Sequence, residues 1–525
     1  MNAIQAELAQ AAIAVLNPAT QETIGTVPIL TASEITAAVE RARAAQEHWA
    51  ETAVGERLKL IHRFQQLLCE QKDAVASIIT KEAGKPLAEA MSTEVLVVLD
   101  AAQYLLNHAA EFLRPEPVPH SNPVMKLKKG MVLREPYGVV GIISPWNYPF
   151  SLPAVQTLTA LVTGNAVVLK PSEFTPFSSL ELQRLLHEAG LDHDLMQVVT
   201  GDGAVGAALL QTKIGKLVFT GSVGTGKRVA QAAAARLLPI VLELGGKDPM
   251  IVLEDADVNV ASSAAVWGAF MNSGQTCLSV ERCYVHESIY EKFLEACVGK
   301  TAKLRHGAGS DNGTDIGPMI HERQLQTVQR HVQDAIARGA RLLGGGEPAS
   351  HLGPNFFQPT ILADVTHDMD LMREETFGPV LPVCSFKTDD EAVALANDSE
   401  FGLAASVWTR NKKRGEAMAR RIQAGTVMIN DVVACFGISE APHGGVKASG
   451  IGRTHGRYGM EEMVWPKYVD SDRMPGMKKL WWYGYGSAFQ QQMTGFIELL
   501  FSRNLIKRVH GALKSAQSYL QRRPL

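Results

Sequence analysis

The chain has 525 residues, of which 46% are hydrophobic and 20% are charged, and its net charge is −3. This composition is typical of a globular protein with two or three cores, and the small net charge excludes a global field that would attract nucleic acid. The six cysteines show no metal-ligand spacing and suit a reducing compartment, so we expect a cytoplasmic protein without a metal site.

The N-terminal part of the chain is predicted to be mainly helical. Residues 1–18 carry an acid early and lack a basic region, so we interpret them as neither a signal peptide nor a transit peptide. Thr31 and Glu34 form the pattern of a capping box at the start of a helix. Helical patterns continue from there to about Phe112, with a break at residues 84–86.

The next part of the chain alternates between strands and helices. Four prolines within residues 115–123 predict an extended connection, and residues 124–143 alternate or run apolar as strands do. Residues 152–225 then give the clearest alternation, with strands predicted at 166–169, 196–199 and 216–219. This order predicts a doubly wound parallel sheet.

A glycine-rich turn follows the last of these strands. Gly221, Ser222 and Gly226 lie where a strand passes into a helix, a place where backbone N–H groups can bind a pyrophosphate. The spacing differs from G-x-G-x-x-G, so the pattern alone fits a simple tight turn equally well. After residue 245 the alternation resumes, with a helix predicted at 258–270 and strands at 249–253, 282–285, 357–362 and 425–430.

Two residues that can carry chemistry flank the strand and helix predicted at 249–270. Glu243 precedes a Gly-Gly pair, and Cys277 follows a loop with Gly274. Glycine-bearing loops let a side chain face a cleft. A thiolate nucleophile with a carboxylate base is one interpretation. A buried structural cysteine is the other, and it is the commoner fate of a single Cys.

The motifs LELGGK at 242–247 and FMNSGQTC at 270–277 together resemble the aldehyde dehydrogenase superfamily, and the similarity covers roughly residues 15–470. The resemblance implies two doubly wound α/β domains: a Rossmann-like NAD-binding domain and a catalytic domain. It also implies a small β arm for oligomerisation into a homodimer or homotetramer. The expected limits are 1–119 and 138–245 for the NAD-binding domain, 246–440 for the catalytic domain, and 120–137 with 460–472 for the arm.

The resemblance implies roles for three catalytic residues. Cys277 would attack an aldehyde carbon, Asn147 would donate a hydrogen bond to the resulting oxyanion, and Glu243 would activate water to hydrolyse the thioester. Asn147 lies between two prolines in a tight loop, where a turn asparagine that caps the backbone is the alternative. The carboxylate at position 243 favours hydrolysis over transfer of the acyl group to coenzyme A.

The resemblance also implies a cofactor site. Lys170, Ser172 and Glu173 follow the carboxyl end of a predicted strand, where α/β folds bind ligands. A carboxylate there can accept hydrogen bonds from both ribose hydroxyls and repels a 2′-phosphate, so NAD is favoured over NADP. The full predicted set of cofactor-binding residues is Trp146, Lys170, Ser172, Glu173, Gly221, Ser222, Gly226, Glu375 and Phe377.

The sequence departs from the family pattern in one loop near the substrate. His443 stands where Phe is common, and Thr454 and His455 stand where an acid is frequent. Either a titrating histidine or an ordinary loop histidine fits position 443. Apolar residues predicted near the substrate favour an apolar aliphatic or aromatic aldehyde; they are Tyr148, Leu152, Val155, Trp267, Met271 and Phe436.

Two other functions remain open at this stage. One is a binding or structural protein that keeps the fold without turnover, and the other is a thiol esterase that uses Cys277 without NAD. The intact set of mechanistic residues argues against the first. The cofactor residues, among them Lys170, Glu173, Glu375 and Phe377, argue against the second.

The C-terminal extension, residues 475–525, lies outside the usual family pattern. It carries eight Lys or Arg and one acid, Glu498, and its apolar residues recur at helical spacing after a cluster of Trp and Tyr. A basic amphipathic helix with aromatic neighbours can lie on an anionic bilayer. Docking on another subunit is the alternative. We expect no membrane-spanning helix, and if the tail binds lipid the protein is peripheral to the inner face of a membrane.

Overall fold

The computed structural model describes residues 11–479 and 481–521. Residues 1–10, on which our interpretation of the N-terminal segment partly rests, lie outside the described residues. Arg522 and Arg523 of the basic tail lie outside them as well. The described chain forms two compact units. One comprises residues 11–114 with Arg134–Pro466, and the other comprises Pro115–Leu133 with the described part of Lys467–Leu525.

The strands of both units are, in chain order, β1 (Ala12–Leu16), β2 (Thr23–Pro28), β3 (Glu116–Val118), β4 (Lys128–Pro136), β5 (Val139–Ile143), β6 (Ala166–Lys170), β7 (Met196–Val198), β8 (Lys216–Thr220), β9 (Ile240–Glu243), β10 (Asp248–Val252), β11 (Val280–His286), β12 (Arg341–Gly344), β13 (Thr360–Ala363), β14 (Val380–Phe386), β15 (Ala404–Trp408), β16 (Thr426–Ile429), β17 (Gly450–Ile451) and β18 (Val464–Asp472).

The helices are α1 (Ala32–Glu51), α2 (Val54–Glu70), α3 (Lys72–Ala83), α4 (Leu87–Glu89), α5 (Leu96–Phe112), α6 (Ser151–Val162), α7 (Pro176–Glu188), α8 (Gly203–Gln211), α9 (Val223–Ala234), α10 (Val258–Phe270), α11 (Tyr290–Thr301), α12 (Glu322–Ala337), α13 (Asp370–Arg373), α14 (Asp389–Asn397), α15 (Lys412–Ala419), α16 (Gly456–Glu462), α17 (Ser487–Phe501) and α18 (Leu505–Gln521). A π-helical turn, Ala90–Val95, joins α4 to α5.

The first unit contains two open sheets, which confirms the predicted α/β class. The six-stranded sheet has the order β17-β9-β8-β5-β6-β7, and the seven-stranded sheet has the order β12-β13-β14-β11-β10-β15-β16. The strands of each sheet pair in parallel except at one edge, where β17 meets β9 and β12 meets β13. Strands such as β6 are buried on both faces, as their continuous apolar sequence predicts.

Local signals account for several helix ends. The Thr31 hydroxyl accepts a hydrogen bond from Glu34 N at 3.3 Å, and Thr31 N donates to Glu34 Oε2 at 2.7 Å, so the predicted capping box is present. Gly84 ends α3 with a left-handed φ of 74°. Asp257 accepts hydrogen bonds from the first N–H groups of α10.

The second unit contains a three-stranded sheet with the order β18-β4-β3 and the helical hairpin α17–α18. The predicted oligomerisation strands correspond to β4 and β18, and the structure adds β3 before them. Their role between subunits stays a prediction. The tail differs from the single helix suggested by its spacing, because Asn504 Oδ1 accepts hydrogen bonds from Ile506 N and Lys507 N and so starts a new helix.

Candidate active site

Cys277 follows a loop that is held in an unusual conformation. Asn272, Ser273 and Gly274 all have left-handed backbone angles, with φ of 52°, 57° and 70°. Two non-glycine residues in this region store strain that the surroundings must hold. Asn272 N donates to Glu89 Oε2 at 2.9 Å, and a Cβ on Gly274 would lie 2.0 Å from the carbonyl oxygen of Gly378. The loop therefore has little freedom to move Cys277.

Cys277 lies where two cavities meet, because it lines both of them. The first cavity has a volume of about 260 Å³ and is mostly apolar; its lining residues are Ser92, Thr93, Val97, Tyr148, Leu152, Trp267, Met271, Thr276, Cys277, Leu278, Val433, Ala434, Phe436 and Gly437. The second has a volume of about 240 Å³; its lining residues include Trp146, Asn147, Gly221, Ser222, Glu243, Gly245, Gln324, Glu375 and Phe377. A thiol at this junction can reach a molecule in either cavity.

The protonation of Cys277 depends on its surroundings. Burial and the nearby Glu243 carboxylate raise the pKa of the Cys277 thiol well above its usual value. Asp248 and Glu375 act in the same direction. The sulfur is therefore held as a thiol here, and it must lose its proton before it can act as a nucleophile.

Asn147 lies on the loop between β5 and α6 and faces the second cavity. Its Nδ2 donates to the carbonyl oxygen of Gln275 at 3.0 Å, and Asn272 Nδ2 donates to the carbonyl oxygen of Asn147 at 3.0 Å. These bonds link the Asn147 loop directly to the loop before Cys277. The Asn147 side chain and Cys277 therefore line the same cavity on two loops that are hydrogen-bonded to each other.

A buried ion pair supports the same loop. Lys85 Nζ lies 2.6 Å from Glu94 Oε1, and both side chains are fully buried. The second oxygen of Glu94 accepts hydrogen bonds from Phe150 N at 3.0 Å and Ser151 N at 2.8 Å, at the start of α6. Lys85 also lies 3.6 Å from the ring centre of Tyr148, which lines the apolar cavity. The sequence analysis did not predict the contacts of Lys85 and Glu94, because no local sequence pattern indicates which residues they pair with.

Glu243 ends β9 and lines the second cavity together with Cys277. Its side chain is buried, and its Oε2 lies 3.2 Å from His443 Nε2. Within the described part of the chain, its Oε1 has no hydrogen-bond partner. One oxygen of this carboxylate is therefore anchored by an imidazole, while the other is buried and keeps an unused capacity to accept a hydrogen bond or a proton.

The predicted ribose-binding residues lie together at the end of β6. Lys170 Nζ lies 3.3 Å from Glu173 Oε2. The Ser172 hydroxyl accepts a hydrogen bond from Phe174 N at 3.3 Å. Glu173 and Phe174 line a third cavity of about 690 Å³ together with His321. The carboxyl end of β6 therefore carries an amine, a hydroxyl and a partly exposed carboxylate side by side.

The glycine-rich turn opens onto the second cavity. Gly221 and Ser222 line it, and Ser222 caps α9 by accepting from Thr225 N. Gly226 lies inside the first turn of α9, where a Cβ would come within 2.5 Å of the Leu244 side chain. Gly221 and Ser222 thus present a helix start to the cavity, while Gly226 permits close packing of the helix on the sheet.

The loop with Glu375 and Phe377 forms another wall of the second cavity. Glu375 Oε1 accepts a hydrogen bond from Gly246 N at 3.0 Å, and burial raises the pKa of Glu375 to about 8. Phe377 contacts Trp146 edge to face, with ring centres 5.4 Å apart. The buried Glu281 accepts from Phe377 N at 2.8 Å. Sequence reasoning missed Glu281, since a single Glu in a strand gives no signal.

Five of the six residues predicted near the substrate line the apolar cavity. The exception is Val155, which packs in a small core cluster with Val97 and Ala101. Val155 lies on α6, whose residues are all buried, so helical spacing alone could not tell its cavity-facing positions from its core-facing ones.

Comparison with known proteins identifies the family to which this fold belongs. The sequence profile of the aldehyde dehydrogenase family matches residues 5–469. A putative NADP(+)-dependent succinate-semialdehyde dehydrogenase of Mycolicibacterium smegmatis is 40% identical over 90% of this chain and 91% of its own length. A 4,4'-diapolycopene aldehyde oxidase of a Methylomonas species is 40% identical over 94% of this chain and 92% of its own length.

A solved structure extends the similarity to the whole backbone of the matched region. The NAD-dependent aldehyde dehydrogenase of Sinorhizobium meliloti superposes with a TM-score of 0.86 at 38% identity, and the alignment covers 90% of this chain and 93% of that one. Sequence and structure agree over the same part of the chain. This protein therefore belongs to the aldehyde dehydrogenase family.

Proposed function

We propose that this protein oxidises an apolar aliphatic or aromatic aldehyde to its carboxylic acid with NAD. The observation that carries the proposal is the position of Cys277 between an apolar cavity and a cavity walled by Asn147 and Glu243. An aldehyde in the first cavity would meet the sulfur directly. A non-catalytic protein has no need of the strained loop before Cys277, and a simple thiol esterase has no need of the second cavity.

The second cavity and the end of β6 fit a dinucleotide. The helix start at Ser222 can bind phosphate oxygens, and Lys170, Ser172 and Glu173 supply ribose partners. Gly221, Gly226, Trp146, Glu375 and Phe377 would complete the binding site. When bound, NAD supplies the acceptor for the hydride that the substrate carbon loses.

The chain's own residues account for the remaining chemistry. The Cys277 thiol gives its proton to solvent, its thiolate sulfur bonds to the aldehyde carbon, and the carbonyl oxygen becomes an oxyanion that accepts hydrogen bonds from Asn147 Nδ2 and Cys277 N. Loss of hydride leaves the acyl group as a thioester on Cys277. Glu243 then takes a proton from water, the water oxygen bonds to the acyl carbon, and the carbon–sulfur bond breaks to release the acid.

The lining of the apolar cavity guides the choice of substrate. Among the residues that the structure describes, this lining contains no Lys or Arg side chain to pair with a substrate carboxylate. A buried carboxylate without a partner is costly. This favours an uncharged chain or ring over succinate semialdehyde, although one relative is named for that substrate.

An aldehyde series should test both the activity and the substrate class. We expect NADH absorbance to rise with hexanal, decanal and benzaldehyde, and kcat/KM for the best of them to exceed that for succinate semialdehyde by about tenfold or more, equivalent to about 1.4 kcal/mol. NADH formation with none of these aldehydes would reject the activity. A higher kcat/KM with succinate semialdehyde would reject the apolar substrate class.

The cofactor preference should depend on Glu173. A 2′-phosphate placed near its carboxylate is repelled by about 1 kcal/mol or more, so kcat/KM with NAD should exceed that with NADP by at least about fivefold. Glu173→Gln should reduce the ratio, whereas Glu188→Gln, an exposed carboxylate on α7, should leave it unchanged. A preference for NADP in the unaltered protein would contradict the assignment.

We also propose that the α17–α18 hairpin binds an anionic membrane surface, with the protein otherwise in the cytoplasm as a homodimer or homotetramer. The hairpin buries small and polar residues between its helices and exposes apolar ones. At its centre the carbonyl oxygens of Gly495 and Gly511 lie against the opposite helix. Small residues let two helices approach closely where apolar packing cannot drive them together, as in lipid.

The outer face of this hairpin has the chemistry of a lipid interface. Its exposed apolar side chains include Ile497, Phe501, Leu505, Ile506, Val509, Leu513 and Leu520. Exposed Trp and Tyr residues at 481–485 precede it, and Lys507 and Lys514 lie on its second helix. No helix within the described residues has both the length and the apolar character to cross a membrane. The exposed apolar side chains, the Trp and Tyr residues and the two lysines together suit a hairpin that lies in the interface of one leaflet.

Removal of the hairpin should separate lipid binding from docking on another subunit. A variant that ends after Gly486 should lose sedimentation with vesicles of phosphatidylserine and phosphatidylcholine, and pure phosphatidylcholine vesicles should bind the full chain less well. Phe501→Ser with Ile506→Ser should weaken binding in the full chain. Equal binding by the full and shortened chains would reject the membrane surface. A smaller oligomer after shortening would favour subunit docking.

A further inference from the structure

His443 occupies the position where the family commonly has Phe, and its ring contacts the carboxylate of Glu243. The Nε2–Oε2 distance is 3.2 Å, and the two side chains are 4% and 5% exposed. The backbone holds both residues in place. Gly450 of β17 pairs with Glu243, while His443 N donates to the carbonyl oxygen of Thr454 and Thr454 N donates to that of His443, both at 2.8 Å.

The two carboxylate oxygens of Glu243 have different surroundings. Oε2 faces the imidazole, whereas Oε1 has no hydrogen-bond partner among the described residues. Gly444 has a φ of 146°, and a Cβ there would lie 2.6 Å from Oε1. Glycine at this position therefore leaves room for the buried Oε1 atom. The Glu243 side chain lines the same cavity as Cys277, and Oε1 is its carboxylate oxygen that is not engaged by the imidazole.

We propose that His443 is a positioning residue for thioester hydrolysis: its imidazolium anchors Glu243 Oε2 and leaves Oε1 to take the proton from water. The inference rests on the proposed dehydrogenase function. In the step itself, water loses a proton to Oε1, its oxygen bonds to the acyl carbon, and Cys277 leaves as the thiolate. His443 keeps its own proton throughout.

The charge of the pair follows from the groups around it. Burial disfavours the imidazolium, but the Glu243 carboxylate and a hydrogen bond with the Cys435 thiol outweigh it and raise the pKa of His443 to about 10. His455 faces the same ring at 5.6 Å between ring centres, and burial with the His443 charge lowers its pKa to about 3. The Glu243 charge also raises the pKa of the Cys277 thiol, and the Arg453 stem lies beside Gly444.

The charge of His443 should extend the pH range in which the thioester is hydrolysed, compared with a variant that lacks this charge. A buried glutamate without a partner takes up a proton more easily, whereas a neighbouring cation keeps it anionic to lower pH. The acidic limb of the hydrolysis step should therefore lie at lower pH in this protein than in a variant without the cation. The second ring contact of His443, edge to face with Phe436 of the apolar cavity, fixes the imidazole from the substrate side.

The test compares His443→Gln, which keeps a hydrogen-bond donor without the charge, with His443→Phe, which keeps neither. The rate constant for loss of the acyl group from Cys277 is followed by quenching and mass spectrometry between about pH 5 and about pH 9. We expect the midpoint of the acidic limb to rise by about 1–3 pH units in both variants. The plateau rate should fall in His443→Phe but persist in His443→Gln.

His455→Gln is the matched control, because His455 packs beside His443 but has no contact with Glu243 among its hydrogen bonds and ion pairs within the described chain. Its acidic limb should coincide with that of the unaltered protein. An unshifted limb in both His443 variants, with NADH still formed from the aldehyde, would overturn the positioning role. Absence of any NADH formation by the unaltered protein would instead reject the proposed function. If His443→Phe fails to fold, the midpoint of the acidic limb in His443→Gln alone tests the positioning role.

Discussion

Replacing Cys277 by Ala should abolish aldehyde oxidation, with a loss of about 10⁴-fold or more in kcat. Among the described residues that line both cavities, Cys277 alone has a side chain that can bond to the aldehyde carbon. Without it no thioester forms, and Asn147 and Glu243 have no intermediate on which to act. Binding of NAD should persist, because the predicted cofactor residues at the end of β6 and at the start of α9 are unchanged.

The measurement pairs NADH formation with NAD binding by quenching of protein fluorescence. Cys69→Ala is the control, since Cys69 is an exposed cysteine on α2. It should retain full activity. Cys277→Ala should also lose acyl labelling in the protein's mass spectrum. Normal turnover in Cys277→Ala would refute the covalent mechanism, and a loss of NAD binding would show that the substitution disturbs more than the sulfur.

The sequence predicted the architecture well because its elements are marked locally. The helix predicted at 258–270 is α10 with those same ends, since Asp257 supplies a cap and the apolar run ends at the loop before Cys277. The alternation of β6, α7, β7, α8 and β8 was likewise predicted, and with it the parallel sheet. The aldehyde dehydrogenase family assignment, which rested on two motifs, is confirmed.

The supporting contacts of the site could not be predicted, because they join residues far apart in the chain. Glu94 holds the Asn147 loop across 56 residues, and Glu281 holds the Phe377 loop across 96 residues. The sequence shows His443 as a departure from the family pattern, but it does not show that this residue contacts Glu243. That contact depends on the pairing of β17 with β9, which the sequence analysis did not predict. In the tail, helical spacing cannot distinguish one long helix from a hairpin that buries its small residues.

Replacing Glu243 by Gln should slow hydrolysis of the thioester by about 10²–10⁴-fold while leaving the attack by Cys277 largely intact. Gln has nearly the same shape as Glu but cannot take a proton from water. The acyl group should then remain on Cys277.

We expect a first burst of NADH equal to the enzyme concentration, followed by slow turnover, and a mass increase on Cys277 equal to the acyl group of the aldehyde. Asp255→Asn, a carboxylate that accepts hydrogen bonds from Thr409 away from the cavities, is the control and should show neither effect. A slow, linear rate of NADH formation without a burst would show that Glu243 acts before the thioester forms, for example by taking the proton of Cys277. The two groups interact electrostatically, because the Glu243 charge raises the pKa of the Cys277 thiol. The burst therefore decides which proton, that of water or that of Cys277, depends on this carboxylate.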